Sequence, residues 1–213
     1  MDNLNIIEAA DHSAIARWVE DRLTAALAQG KGTHAATMPG GSTPFPILGE
    51  LTAEPDGAVD WSRLQVWPND DRIVPEDHDA SNTGKMRALL EPVGATVCAL
   101  AEDTQPPHFA LTWLGMGPDG HTASLFPNTD PQIDDAQPVR RLTPDPLPAH
   151  APFDRITFTL PALLDTDAIL LTLGGSGEKR EVFDAAIRGK HDLPIARLLR
   201  AAAERGISVT CFA

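Results

Sequence analysis

Cysteine, basic residues and long apolar runs are all scarce in this sequence of 213 residues. Its two cysteines, Cys98 and Cys211, lie in apolar runs that are typical of strands, so we expect buried reduced thiols and no disulfide. Lysine and arginine together number 17 against 30 aspartates and glutamates, which gives a net charge of −13. Because nucleic-acid binding requires basic surface, this balance predicts no nucleic-acid partner, although a few focused cations can still hold a small anion.

Signals for membrane insertion and secretion are also missing. No apolar run approaches the ~20 residues that cross a bilayer, and Asp2, Glu8 and Asp11 occupy the region where a signal peptide would carry its apolar core. We therefore expect no membrane association and a cytoplasmic location. No repeat or linker divides the chain, so residues 1–213 are predicted to form a single domain. Both a monomer and a small homo-oligomer are compatible with the sequence.

Helical and strand-like patterns alternate along the chain. The spacing of apolar residues predicts helices over residues 13–29, 44–53, 83–91, 178–188 and 194–204, with Gly30 ending the first and Ser81 capping the third. Strands are predicted over residues 34–38, 64–67, 95–100, 109–116, 155–160, 168–173 and 207–212. Residues 127–152 contain seven prolines and are predicted to form an irregular loop. This alternation predicts an α/β fold with a mostly parallel sheet flanked by helices.

Four loops that follow predicted strands carry polar residues from which a site could be built, because ligands of open α/β sheets bind beyond the carboxyl ends of strands. The first loop is Gly40-Gly41-Ser42-Thr43-Pro44. Its glycines let backbone N–H groups approach an anion, its hydroxyls add donors, and the helix N-terminus that follows favours negative charge. The alternative is a plain turn that caps a helix.

The second loop, Asp70-Asp71-Arg72, combines a cation with carboxylates. The guanidinium of Arg72 suits bidentate contact with a phosphate group, and Asp71 could hold that guanidinium in place. The alternative is a surface cluster of salt bridges.

The third loop, over residues 115–127, is the most informative. It begins with a Gly-x-Gly-x-x-Gly pattern that matches the dinucleotide-binding fingerprint, but the proline at its end stops a helix too early for that motif. We prefer a tight turn in which Gly117 and Gly120 let the backbone fold around a ligand and present Asp119 and His121. Histidine is the natural general base at neutral pH, so His121 is the candidate catalytic residue. The alternative is an incidental histidine.

The fourth loop, over residues 174–179, is similar to a nucleophile elbow around Ser176. Glu178 stands where that motif requires glycine, which disfavours a serine hydrolase. We instead expect the loop to deliver Lys179 to an anion near a helix start. The alternative is a turn followed by a solvated lysine.

Signals for metals and nucleotide phosphates are absent from the sequence. The seven histidines show no helical i,i+4 pairing, no Cys-x-x-Cys motif occurs, and each Gly-Lys pair lacks the other residues of a P-loop. We therefore predict no bound metal.

Taken in order along the chain, these motifs resemble those of the 6-phosphogluconolactonase family. The matching pieces are the four loops, Ser81-Asn82 and Arg155-Ile156-Thr157, and the string over residues 114–127 is the most specific of them. The resemblance implies a Rossmann-like α/β sheet, which that family shares with glucosamine-6-phosphate isomerase. It also implies hydrolysis of 6-phospho-D-glucono-1,5-lactone to 6-phospho-D-gluconate in the oxidative pentose phosphate pathway, without a cofactor.

The same resemblance implies roles for individual residues. His121 would be the general base that activates water, and Asp119 would order the loop that carries it. Phosphate and sugar oxygens would be held by Arg72, Lys179 and the first loop, which comprises Gly40, Gly41, Ser42 and Thr43.

Two features depart from the family pattern. The short segment over residues 101–108 replaces a helix and loop, so one wall of the site is expected to be missing or supplied by another segment. Ser176 stands where the family has a glycine three residues before its lysine, which bears on the position of Lys179.

Three other functions fit part of the pattern. A glucosamine-6-phosphate isomerase/deaminase also has an Asp-Gly-His turn, but Asn-Glu-Pro normally follows it, where this chain has Ser124-Leu125-Phe126-Pro127. A non-catalytic sugar-phosphate-binding regulator usually carries a DNA-binding domain, for which an acidic chain of 213 residues leaves no room. A dinucleotide-dependent enzyme is supported only by the weak glycine fingerprint.

Overall fold

The strands and helices of a computed structural model largely follow the predicted alternation. The structure describes residues 2–8, 11–53, 57–148, 151–174 and 177–213. The strands are β1 (Leu4–Ile7), β2 (His34–Met38), β3 (Leu64–Pro68), β4 (Asp70–Arg72), β5 (Thr96–Val97), β6 (Leu111–Gly115), β7 (Val139–Leu142), β8 (Arg155–Phe158), β9 (Ala168–Thr172) and β10 (Ser208–Phe212). The helices are α1 (His12–Leu27), α2 (Pro44–Ala53), α3 (Asn82–Leu90), α4 (Leu160–Leu163), α5 (Gly177–Ile187) and α6 (Pro194–Glu204).

The central sheet has the strand order β1-β10-β9-β6-β2-β3-β5. Each of its strand pairs is parallel, so the predicted α/β fold with a mostly parallel sheet is confirmed. From β2 the chain builds outward through β3 to β5, and then returns to place β6 on the other side of β2. Such a reversal of strand order opens a crevice beyond the carboxyl ends of the two strands that flank it.

Strand β9 shows how the sheet is buried on both faces. All of its residues are buried, as expected for a continuous apolar run in a parallel sheet. Ile169 and Leu171 join the apolar cluster that includes α5 and α6, whereas Leu170 joins the cluster formed with α1, α2 and α3. Because successive side chains of a strand alternate, one short segment stabilises both layers, and each such side chain contributes about 1.5–3 kcal/mol through burial.

A second, antiparallel sheet with the order β4-β8-β7 is the main departure from the sequence prediction. The sequence predicts a loop at residues 70–72 and an irregular loop over residues 127–152, and both predictions are wrong where β4 and β7 form. These strands are only three and four residues long. Both pair with β8, as in Asp70 opposite Thr157 and Val139 opposite Phe158. Pairing partners that are distant in sequence stabilise them, and a local pattern does not contain that information.

The ends of several elements also differ from the predictions. Helix α1 ends at Leu27 because the N–H of Ala28 closes it by donating to Thr24 O at 3.0 Å, so Gly30 is not its cap. The predicted cap of α3 is confirmed, since the hydroxyl oxygen of Ser81 accepts from Gly84 N at 3.0 Å. The strand predicted over residues 95–100 shrinks to the two residues of β5, and β1, which pairs with the distant β10, was not predicted.

Both cysteines are free thiols, so the expectation of no disulfide is confirmed. Cys211 lies buried on β10, and burial raises the pKa of its thiol to about 12. Cys98 is only partly buried, because the strand expected around it ends one residue earlier. Within the described ranges, no helix is both long and apolar enough to cross a membrane.

An exposed histidine before β6 forms hydrogen bonds with two aspartates that precede β9. His108 Nδ1 lies 2.7 Å from Asp165 Oδ1, and His108 Nε2 lies 3.0 Å from Asp167 Oδ1. The hydrogen bond to Asp165 is the largest influence and raises the pKa of His108; burial opposes it, and the hydrogen bond to Asp167 raises the pKa further. The two bonds favour the doubly protonated ring, since both nitrogens then donate.

Replacement of His108 by glutamine is expected to change the pH dependence of stability. The raised pKa means that the histidine stabilises the fold fully below its unfolded pKa of about 6.5 and ceases to do so as the pH rises through the folded value. Because the side chains are half exposed, the effect should stay below about 1 kcal/mol. Denaturant unfolding of wild type and His108→Gln should show a stability difference at about pH 5.5 that shrinks by about pH 9. A difference that grows toward alkaline pH would contradict this interpretation.

Candidate active site

A cleft opens beyond the carboxyl ends of β2 and β6, at the reversal of strand order. It has two adjoining lobes. The glycine lobe, of about 320 Å³, is lined by residues 39–44 and 115–118, Thr172 and Lys179. The arginine lobe, of about 750 Å³, is lined by Arg72, Arg155 and residues that include Asn82, Phe126 and the prolines of segment 144–148. Five residues line both lobes: Gly40, Asp70, Pro118, His121 and Ala123.

The glycine lobe combines a backbone loop with one cation. Residues 40–43 connect β2 to α2, whose first residue is Pro44, so the N-terminus of that helix lies at the lobe. Ser42 is exposed and Thr43 partly exposed, so both hydroxyls are accessible. Lys179 enters from the first turn of α5, and burial lowers the pKa of its ammonium group. Backbone N–H groups, a helix N-terminus and a lysine together suit an anionic or electron-rich oxygen.

His121 stands at the junction of the two lobes on the tight turn that the sequence predicts. The turn is closed by hydrogen bonds from Gly117 N to His121 O at 2.9 Å and from Gly120 N to Gly117 O at 3.0 Å. The imidazole Nδ1 lies 2.5 Å from Asp119 Oδ1, and the ring packs against Phe126 with centroids 4.8 Å apart. No hydrogen bond joins Nε2 to any residue in the described part of the chain.

The charge of Asp119 sets the tautomer of His121. Burial opposes ionisation of Asp119, but hydrogen bonds from the His121 ring and backbone outweigh it and hold the pKa of the carboxyl below its usual range. An ionised carboxylate can only accept hydrogen bonds, so Nδ1 of His121 carries the ring proton and donates a hydrogen bond to Asp119. Nε2 then has a free lone pair, which is the arrangement that a general base requires.

Two glycines of the turn have separate structural roles. Gly117 lines the glycine lobe, and a Cβ there would overlap the His121 ring and the Asp119 carboxylate. Gly120 has a φ of +78° and lies against Leu193 and Ile195, whose N–H donates to Gly120 O at 3.1 Å. Gly120 lines neither lobe, so the structure gives it a bracing contact with the start of α6 rather than a contact with a ligand.

The residues of β4 alternate between the cleft and the interior. Asp70 and Arg72 line the arginine lobe, whereas Asp71 lines neither lobe. The buried carboxylate of Asp71 instead accepts from the N–H groups of Asn82 at 2.6 Å and Thr83 at 2.8 Å, at the start of α3. The structure therefore does not place Asp71 where it could hold the Arg72 guanidinium, as the sequence suggested, and Asp71 does not reach the substrate cleft, because a strand places neighbouring side chains on opposite faces.

Asp70 is a cleft residue that sequence reasoning missed. Its carboxylate accepts a hydrogen bond from the Ser124 hydroxyl. Burial raises the pKa of Asp70, and the opposing effects of Ser124 and Arg72 do not cancel that rise. Recognition of residues 70–72 as a strand would have found Asp70, since it shares a face with Arg72.

Arg155 belongs to the motif Arg155-Ile156-Thr157, which by itself does not indicate that the arginine reaches the site. It lies buried on β8, where its guanidinium donates to Ala151 O at 2.8 Å and to Phe153 O. Burial, followed by repulsion from Arg72, lowers the pKa of Arg155. Its position opposite Arg72 in the β4–β8 pair brings two guanidinium groups to one lobe.

Three cations line the cleft: Arg72, Arg155 and Lys179. Among the described residues, none of them has a carboxylate within salt-bridge distance. Over the same residues, no three His, Cys, Asp or Glu side chains are grouped so as to hold a metal ion. Of the fourth loop, Gly175 and Ser176 lie outside the described residues. An acidic chain thus keeps unpaired positive charge at one place, as an anion-binding site requires.

Gly117→Ala is expected to displace the imidazole of His121 and break its bond to Asp119, because the new methyl group overlaps both side chains. Titration of the Asp119 carboxyl by carbon NMR should then move its lowered pKa back toward the usual value. Gly115→Ala is the matched control, since a Cβ there meets no atom within 4 Å. An unchanged Asp119 titration in Gly117→Ala, or an equal change in both variants, would contradict the proposed packing.

Known proteins resemble this chain over most of its length. The family model described as glucosamine-6-phosphate isomerases/6-phosphogluconolactonase matches residues 8–96 and 90–207. A 6-phosphogluconolactonase of Mesorhizobium japonicum is 34% identical over 212 residues, which span 89% of this chain and 86% of that protein. The 6-phosphogluconolactonase of Pseudomonas putida is also 34% identical, over 88% of this chain and 84% of its own length. The crystal structure of a 6-phosphogluconolactonase from Shewanella baltica OS155 gives a TM-score of 0.79 at 26% identity, covering 99% of this chain and 98% of that one. The chain therefore belongs to the glucosamine-6-phosphate isomerase/6-phosphogluconolactonase family.

Proposed function

We propose that this chain hydrolyses 6-phospho-D-glucono-1,5-lactone to 6-phospho-D-gluconate, the lactonase step of the oxidative pentose phosphate pathway. The observation that carries the proposal is the His121–Asp119 pair at the junction of two lobes that both offer unpaired positive charge. The relatives of 34% identity are named as lactonases of this kind, which favours the lactonase branch of the family. No step of the reaction requires a metal or a cofactor.

The phosphate group fits the arginine lobe better than the glycine lobe. Two guanidinium groups, Arg72 and Arg155, line that lobe without a carboxylate partner among the described residues. Guanidinium groups bind phosphate oxygens in a bidentate manner, and the dianion offsets the repulsion between the two arginines.

The lactone group then lies toward the glycine lobe, with C1 near His121. Attack on the carbonyl converts its oxygen into an oxyanion, which needs donors that are already in position. Lys179 and residues 40–43 line this lobe, and the Lys179 ammonium group and the backbone N–H groups of that loop are the donors that we assign to the oxyanion. The sequence analysis assigns Arg72 and Lys179 together to phosphate and sugar oxygens. In this arrangement they instead hold opposite ends of one substrate, with Arg72 at the phosphate group and Lys179 at the lactone.

The reaction follows from the tautomer of His121. Nε2 takes a proton from water while the water oxygen bonds to C1, and the carbonyl electron pair moves onto the exocyclic oxygen. The resulting imidazolium is stabilised by the Asp119 carboxylate. As the oxyanion collapses, the bond between C1 and the ring oxygen breaks, and His121 returns the proton to that leaving oxygen. The product is an open-chain acid, which ionises to a carboxylate.

The alternatives lack a supporting observation of this strength. The isomerase branch would need a further carboxylate after the Asp-Gly-His turn, and this chain instead has Ser124, whose hydroxyl bonds to Asp70. A non-catalytic sugar-phosphate-binding protein would not need the oriented His121–Asp119 pair. Saturable binding of 6-phosphogluconate without lactone hydrolysis would favour that alternative. A cytoplasmic location, a single domain, a monomer or small homo-oligomer, and the lack of a nucleic-acid partner stay predictions from the sequence.

His121→Ala is expected to lower kcat for the phosphorylated lactone by about 10²–10⁴-fold, the usual contribution of general base catalysis. The measurement is lactone opening above the spontaneous rate. His12→Ala is the control, because His12 is the exposed first residue of α1. Near-normal turnover of folded His121→Ala would contradict the assignment of the base.

Arg72→Gln and Lys179→Met are expected to affect different kinetic constants. Loss of a charged hydrogen bond to phosphate, which is worth about 1.5–3 kcal/mol, should raise KM about 10- to 150-fold in Arg72→Gln. Loss of an oxyanion donor should lower kcat by about 10²–10³-fold in Lys179→Met. Arg141→Gln and Lys190→Met, which change exposed residues outside both lobes, are the charge-matched controls. The reverse pattern, with KM raised only in Lys179→Met, would contradict the assignment of the lobes.

A further inference from the structure

The side-chain amide of Asn82 lies where three cleft residues meet. Asn82 is the first residue of α3 and is 3% exposed. Its carboxamide touches a backbone carbonyl of β4, a guanidinium and the loop after β2. No role in the reaction described above uses this side chain, although it lines the arginine lobe.

Two of these contacts are hydrogen bonds to β4. Asn82 Nδ2 donates to Asp70 O at 2.9 Å, and Asn82 Oδ1 accepts from Arg72 Nη1 at 3.4 Å. The same Nη1 donates to Ala80 O at 2.9 Å. Arg72 is therefore aimed by neutral acceptors, which restrain the guanidinium but leave its charge available for an anion. Because Nδ2 must donate to Asp70 O and Oδ1 must accept from Arg72 Nη1, these two hydrogen bonds also fix the orientation of the Asn82 carboxamide.

The third contact of the Asn82 amide is with the loop of residues 40–43, which we call the glycine loop. Gly40 lies so close to the amide that a Cβ on it would overlap Oδ1, Cγ and Nδ2 of Asn82. Gly40, in the loop after β2, therefore packs directly against Asn82, the same side chain that accepts a hydrogen bond from Arg72. Through Asn82, Gly40, which lines both lobes, is thus linked to Arg72, the residue that we assign to the phosphate.

We propose that Asn82 is a positioning residue that holds Arg72 and the glycine loop at a fixed separation and so sets how strongly the phosphate end of the substrate is bound. The inference rests on the proposed function, because it takes the lactone as the molecule that spans the two lobes. It assigns to Asn82 no contact with the reacting atoms. An amide suits this position, since it must donate to a carbonyl and accept from a guanidinium without adding charge.

The isosteric change Asn82→Asp tests the proposal. The new carboxylate cannot donate to Asp70 O, and it forms an ion pair with Arg72 in competition with the phosphate group. We expect KM for the phosphorylated lactone to rise about tenfold or more, with kcat changed by less than about threefold. A merely structural role predicts the opposite, because partial unfolding lowers the active fraction, and therefore kcat, without changing KM.

Ser81→Ala is the matched control. Ser81 caps the same helix turn and bonds to Asp71, but it lines neither lobe. Its loss should lower the melting temperature and leave KM unchanged. An unchanged KM in Asn82→Asp, or an equal rise of KM in Ser81→Ala, would overturn the proposal.

A second measurement separates this inference from the proposed function. Calorimetric titration with inorganic phosphate does not require turnover, and we expect its Kd to rise about tenfold or more in Asn82→Asp. If the wild type bound phosphate but did not open the lactone, the proposed function would fail and the role of Asn82 would still be measured. Should Asn82→Asp not fold, Asn82→Ala removes the amide without adding charge and should raise the same Kd by about threefold or more. An unchanged phosphate affinity in the folded variant would overturn the proposal.

Discussion

The hydrogen-bonded pairing of β2 with β6 is the constraint on which the site depends. Ala36 faces Leu111 and Thr37 faces Thr112 across this pair, so the two strands end side by side at the centre of the sheet. The loop of residues 40–43 leaves one strand and the His121 turn leaves the other. Because the strand order reverses here, no crossover helix fills the space between the two loops. The cleft, with His121 at the junction of its two lobes, follows from that adjacency.

Charge gives this space its chemical character. The chain carries a net charge of −13, yet the cleft brings together Arg72, Arg155 and Lys179 without a salt-bridge partner among the described residues. Unpaired cations in a partly buried site cost free energy, and a bound anion offsets that cost. The lowered pKa values of Arg155 and Lys179, which burial causes, have the same physical origin. We interpret this arrangement as a site whose electrostatics are completed by a phosphorylated substrate.

Local sequence patterns predicted the elements that local interactions stabilise. The helices at residues 44–53 and 194–204 and the cap at Ser81 depend on neighbouring residues, and these predictions are confirmed. Strand β9 is an exception, because its partners β6 and β10 are distant in sequence, and its continuous apolar run alone predicted it. The small antiparallel sheet was not predicted, because its short strands depend on β8 for their partners. That omission had consequences for the site, since the alternation of β4 brings Asp70 into the cleft and turns Asp71 away from it. Arg155 was not assigned for the same reason, because its approach to Arg72 exists only in the paired strands.

We propose that the two lobes hold opposite ends of one substrate, with His121 at the reacting carbon. A crystal structure with 6-phosphogluconate bound would show the position of both ends at once. We predict that the phosphate group lies between the guanidinium groups of Arg72 and Arg155, and that the C1 carboxylate lies beside His121 Nε2 and Lys179. A phosphate group seated on the loop of residues 40–43 beside Lys179, with C1 remote from His121, would contradict the account.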